Sequence, residues 1–189
     1  DSADFNTGLL TVSISAGGDT AEDVLAIDNV GTGTGEIGVS GSDVTYEGTI
    51  IGTFAGGTGG ADLVVTLDAD AETIGTGALV RNITYENTDT EDPTAGARTV
   101  DFVLTDGDTG TSATSSTTVT VAKVNDAPVV MVPGAQETAM VTDLAITGTS
   151  VADVDIESGD FEVTLSVQFG YGKLTVASTA NLNFSIGDG

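Results

Sequence analysis

Acidic residues recur at alternate positions along this chain. Asp106-Gly107-Asp108 and Asp153-Val154-Asp155 are two such pairs, and Asn125-Asp126 lies between them. Glu91-Asp92 precedes a proline, and Glu137 stands alone. Clustered Asp, Glu and Asn in loops supply hard oxygen donors, the chemistry of calcium. That ion takes six to eight oxygens at about 2.3–2.6 Å. The chain has no Cys and no His. Zinc, copper and iron–sulfur sites therefore lose their usual ligands. The commonest general base and the thiolate nucleophile are absent too. Only a carboxylate-based hydrolase, such as a glycosidase, stays within reach. It needs a deep cleft that a small β-sandwich seldom offers, so the chain is read as not an enzyme.

The charge narrows the partners. Twenty-nine Asp and Glu oppose four Lys and Arg, a formal net charge of −25 over 189 residues. Nucleic acid and anionic membrane surfaces would be repelled. No apolar run approaches the roughly 20 residues of a spanning helix, so membrane insertion is not expected. Residue 1 already lies in acidic, polar sequence, and the chain reads as an internal piece of a longer protein.

Several strings imitate other sites. Gly33-Thr34-Gly35-Glu36-Ile37-Gly38 matches a dinucleotide fingerprint, but Val39-Ser40-Gly41 follows instead of a helix. Gly56-Gly57-Thr58-Gly59-Gly60-Ala61-Asp62 resembles a calcium-binding nonapeptide with its Asp one place late, and it occurs once. Asp68-Ala69-Asp70-Ala71-Glu72 lacks the glycine and terminal Glu of an EF-hand loop. Ser40 has no nucleophile elbow and no His to activate it. Tyr46, Tyr85 and Phe54 are expected on sheet faces or in the core.

The elements that must position the acidic loops are strands. Apolar and polar residues alternate at Leu10–Ser15, Thr99–Leu104 and Thr117–Val124, with a short apolar run at Leu63–Leu67. Glycines and Asx residues close each run. A further hairpin is expected from Phe161–Val167 and Lys173–Val176. Residues 69–81 have mixed spacing, expected as a turn or two of helix before a strand at Asn82–Glu86. Gly75 and Gly77 weaken anything longer. Asp1-Ser2-Ala3-Asp4-Phe5 also resembles Asp153 to Phe161 in leading from acids through Asp-Phe into a hairpin. An offset of this size suits tandem domains.

The order strand, Asp106-Gly107-Asp108 turn, strand, Asn125-Asp126-Ala127-Pro128, then Glu137 and Asp153-Val154-Asp155, resembles the end of one cadherin repeat and the start of the next. The Val-Asn-Asp-Ala-Pro wording, the Thr, Val and Gly content and the lack of Cys are similar to the cadherin-like tandem repeats of very large bacterial surface proteins. Leu79–Asn87 and Ala97–Val100 add to the likeness, which covers nearly the whole chain. It implies an all-β chain of tandem Greek-key β-sandwiches, cadherin- or immunoglobulin-like, set end to end. Residues 1–126 would be one repeat lacking its first strands. Residues 127–189 would be the N-terminal part of the next.

The resemblance also implies calcium (Ca2+) at both ends of a repeat. Asp1, Asp106 and Asp108 would gather at the leading end, with Asp4 a neighbour. Asn125 and Asp126 would meet Asp153 and Asp155 at the junction, where Glu91 and Asp92 could complete the site. Glu137 would serve the far end of the second repeat. Two departures subtract ligands: Lys123 and Ala127 stand where cadherins place Asp and Asn. One or two ions per junction are expected rather than three. The implied role is a calcium-rigidified structural repeat of a secreted, extracellular surface adhesin or fibre. Its partners would be neighbouring repeats, other copies joined by strand complementation, and a cell-surface or glycan receptor. The competing reading is a glycan- or protein-binding sandwich module.

Overall fold

A computed structural model describes residues 4–156, 161–166, 173 and 175. By internal contacts the chain divides into two units, 1–155 and 156–189. The expected boundary at 126 lies inside the first unit, after its last long strand.

That unit is built almost wholly from antiparallel strands. Its principal sheet has seven, in the order β3 (Ile37–Ser40), β4 (Asp43–Tyr46), β5 (Thr49–Ala55), β6 (Leu63–Leu67), β1 (Leu9–Ala16), β8 (Gly96–Leu104) and β9 (Ser115–Val121). A separate ribbon pairs β2 (Asp23–Ile27) with β7 (Ile83–Asn87). One helix, α1 (Thr73–Arg81), precedes β7. The runs Leu10–Ser15, Leu63–Leu67 and Thr99–Leu104 fall in β1, β6 and β8, and β9 takes the first five residues of Thr117–Val124, stopping at Val121. Alternation decides their faces: Leu10 and Val12 of β1, and Leu63, Val65 and Leu67 of β6, are buried, while their neighbours turn outward. They pack with Leu25 and Ile27 of the ribbon and with Ala78 and Leu79 of α1. Each fully buried side chain of this kind contributes about 1.5–3 kcal/mol. Tyr46, Phe54 and Tyr85 lie half-buried against this core.

Helix α1 runs two and a half turns despite its glycines, and Gly75 shows why they are kept. A Cβ there would meet the Tyr46 ring at 3.3 Å, so glycine lets the helix approach β4 closely. Asn82 ends it, its backbone N–H donating to Leu79 O and its side chain to Ala78 O. Among the described residues no helix is long and apolar enough to cross a membrane.

After β9 the chain changes character. β10 (Val129–Met131) and β11 (Ser150–Ala152) form a three-rung ribbon whose apolar residues are mostly exposed. Residues 161–166 form no strand, and most of the other half of the expected hairpin lies outside the described residues.

Candidate functional site

The strand registers sort the acidic loops to opposite ends of the sheet. Leu10 pairs with Leu104, and Phe102 with Ser115, so the start of β1, the end of β8 and the start of β9 share the leading end. Gly96 pairs with Val121, which puts the start of β8 and the end of β9 at the linker end. Asp106 and Asp108 are therefore at one end, and Glu91, Asp92, Asn125 and Asp126 at the other.

At the leading end the carboxylates hold their own turns. Asp106 Oδ1 accepts from the N–H groups of Asp108 (2.8 Å) and Gly110 (2.9 Å). Asp4 Oδ1 accepts from Asn6 N–H at 3.0 Å. Gly107, at φ +84°, lies so close to Asn6 O that a Cβ would come within 2.0 Å of it. The Asp106 turn and the segment after Asp4 are thus packed together. Asp1 lies outside the described residues. Glu137 is exposed in the loop between β10 and β11.

The linker end is ordered from inside. Arg98 is 1% exposed, and its Nε donates to Asp23 Oδ2 at 2.9 Å. Tyr85 (2.5 Å) and Asn87 (3.1 Å) donate to Asp23 Oδ1, and Asp19 N–H (2.7 Å) to Oδ2. Burial would raise the Asp23 pKa. The hydrogen bonds from Tyr85, Asp19, Arg98 and Asn87 together outweigh it and hold the carboxyl below its ordinary value. Tyr85 shifts upward, because it is buried and donates to this anion. Arg98 Nη2 also donates to Thr94 O at 2.7 Å, and Thr94 N–H to Glu22 Oε2 at 2.9 Å. The clamp thereby fixes the base of the acidic turn 89–93. Within that turn Asp89 Oδ1 accepts from the Asp92 and Glu91 N–H groups, and these two bonds lower its pKa.

Onto this fixed turn comes the linker. Lys123 Nζ meets Asp92 Oδ1 at 2.8 Å, a charge contact lacking the angles of a hydrogen bond. The cation that displaces an expected ligand thus also neutralises one of the acids. Asn125 Nδ2 donates to Asp126 O at 2.7 Å. Asp126 N–H donates to Asp155 Oδ2, and Asp155 N–H donates to Asp153 Oδ1 at 3.0 Å. Glu91, Asp126 and Asp153 line one open hollow of about 340 Å³, beside Val129 and Val154. Asp155 Oδ1 is enclosed and, among the described residues, accepts no hydrogen bond. Residues far apart in sequence, Glu91, Asp126, Asp153 and Asp155, are brought to one place. Among the described residues, however, no three carboxylates already stand close enough to hold an ion. Binding would require the walls of the hollow to draw in.

A second hollow, about 280 Å³, lies between residues 14–20 and 57–61 with Asp23 in its wall. All four of the hydrogen bonds described above already engage that carboxylate, which leaves it little to offer a ligand.

The Asp23–Arg98 clamp was not foreseen, although alternation carries its signal. Val100 faces the core, so Arg98 two places earlier does too. Leu25 and Ile27 face inward, so Asp23 does as well. Opposite charges at inward positions of two strands signal a buried pair.

No protein-family model, curated protein or solved structure matches the chain.

Proposed function

We propose that this chain is a calcium-rigidified structural repeat of a secreted surface protein, one of a tandem series of cadherin-like Greek-key sandwiches. The observation that carries the reading is the linker-end hollow. Glu91 from the turn before β8, Asp126 from the linker and Asp153 from the segment after β11 line it, and Asp155, which accepts from Asp126 N–H, stands beside them. Among the described residues Asp155 Oδ1 is an enclosed carboxylate oxygen without a donor. Leaving such a group unpaired is costly, and a hard divalent cation is the partner its chemistry suits. Glu91, Asp126, Asp153 and Asp155 would hold the ion. Bound calcium supplies positive charge that cancels carboxylate repulsion. These residues tie the linker to the turn 89–93 on one side and to the β10–β11 ribbon on the other, which turns a flexible connection into a stiff one. Extracellular calcium modules bind at about 10⁻⁴–10⁻³ M, concentrations found outside cells.

A thermal melt after chelator treatment, with calcium or magnesium added back, tests the reading. The expected result is a rise in Tm with calcium that magnesium does not reproduce and that Asp153→Asn reduces. No response to calcium sinks the metal and leaves the carboxylates as solvated surface.

A further inference from the structure

The turn that brings Glu91 to the linker-end hollow is held at both of its ends by one residue, Glu22, which immediately precedes β2. The last rung of the β2–β7 ladder pairs Asp23 with Asn87, and Glu22 reaches past it into the turn. At the near end the Glu22 carbonyl accepts from Thr88 N–H at 2.8 Å and from Thr88 Oγ1 at 3.0 Å. At the far end its carboxylate takes Thr94: Oε2 accepts from the N–H at 2.9 Å and Oε1 from the hydroxyl at 2.9 Å. Oε2 also accepts from Asn87 Nδ2 at 3.0 Å. The Thr94 hydroxyl lies 3.1 Å from Asp19 Oδ2 as well, so its one hydrogen is shared between two carboxylates. A loop pinned at both ends has few conformations left to lose, and order fixed before binding is not charged to the ligand. The opposite wall of the hollow is carried by the linker and the three-rung ribbon, whose residues are mostly exposed.

We infer that Glu22 is a positioning residue for the proposed calcium site: it holds the turn 89–93 so that Glu91 needs no reordering when the ion arrives. The inference rests on the calcium reading above and names a residue that sets its affinity. Glu22 is not itself a ligand, because both carboxylate oxygens take donors from Asn87 and Thr94 and the residue does not line the hollow. Its charge strengthens those bonds, since a carboxylate is a better acceptor than a neutral oxygen. Arg98 Nη2 grips the same Thr94 through its carbonyl. Truncating Glu22 therefore leaves the buried clamp in place and loosens the turn beyond it.

The test is a titration of the full, chelator-treated chain with calcium chloride, followed by amide NMR, together with hydrogen exchange in chelator. Glu22→Ala removes the three side-chain bonds. It should weaken calcium binding about fivefold, because ordering the turn then falls to the ion. Exchange at the Glu91 and Asp92 N–H groups should quicken in chelator. Glu22→Gln keeps one oxygen for Asn87 and the Thr94 N–H and offers its NH2 to the Thr94 hydroxyl. With only a screened charge lost, it should bind within about twofold of the parent. Equal weakening by Ala and Gln would mean that the charge draws the ion and the bonds do not, which overturns the inference. Unchanged exchange in Glu22→Ala overturns it too. A parent that binds no calcium sinks the calcium reading and this inference with it. A parent that binds calcium, beside a Glu22→Ala that binds it equally well, sinks this inference alone. If Glu22→Ala fails to fold, Thr94→Val, which removes only the shared hydroxyl, should weaken binding about twofold, and no change there overturns the inference.

Discussion

At the end of the sheet where β8 stops, Asp106 holds the N–H groups of Asp108 and Gly110, and Asp4 holds Asn6. At the end where β8 starts, Asp23 holds a buried arginine, and Asp155 keeps an enclosed oxygen that accepts nothing among the described residues. The residue types are the same and the roles differ. Carboxylates that close their own turns are locally satisfied. At the linker end Asp89 does the same for its own turn, but Asp23 and Asp155 connect segments distant in sequence, so their stability is tied to the fold. Acidic spacing alone does not distinguish the two; the hydrogen-bond partners do.

Four experiments would break or sharpen that contrast. The largest effect is expected at the clamp. Arg98→Met strands Asp23 in the core and should lower the unfolding free energy by about 3–5 kcal/mol, read by urea denaturation. Asp106→Ala, which frees turn N–H groups to water, should cost only about 0.5–1.5 kcal/mol. Equal losses would erase the distinction between the ends.

Next comes the calcium response. At a concentration ten- to a hundredfold above Kd, bound calcium should add about 1.4–2.7 kcal/mol. Asp155→Asn should remove most of this hypothesised gain and Asp106→Asn little. The reverse pattern in calcium titrations would move the ion to the leading end.

Acid should reveal the clamp again. The Asp23 pKa is lowered on folding from an ordinary 3.8. Its contribution is therefore complete above the unfolded value and lost as pH falls through the folded one. Unfolding free energy followed below about pH 4 should fall less steeply in Asp23→Asn than in the parent. An unchanged slope would assign acid sensitivity to other carboxylates.

The smallest effect concerns Lys123. Its half-exposed contact with Asp92 should be worth no more than about 0.5 kcal/mol, so Lys123→Gln should barely move Tm in chelator. Removing a cation beside the hollow should nonetheless tighten calcium binding a few-fold by titration. Weaker binding would mean that Lys123 positions the acidic turn instead of competing for it.

Much of this arrangement was legible beforehand because strands have a period of two. Leu10, Val12 and Val100 were assignable to a face from their spacing. The turn Asp106-Gly107-Asp108 was placed at the opposite end from Glu91-Asp92 by the resemblance to cadherin-like repeats together with strand order. The length of α1 was not legible, because Gly75 argues against helix locally, and only its closeness to Tyr46 explains it. The ribbon of β2 and β7 joins residues about sixty positions apart, and no local pattern specifies such a pairing. The ion pair of Lys123 with Asp92 escaped for the same reason.

The order of strands has one more consequence. β1 and β9 both run from the leading end to the linker end, with β8 antiparallel between them. If the chain is pulled at Gly8 and at Ala122, β1 is drawn one way and β9 the other. The hydrogen bonds of the β1–β8 and β8–β9 ladders lie across that pull, so they are loaded together in shear and not opened one at a time like a zipper.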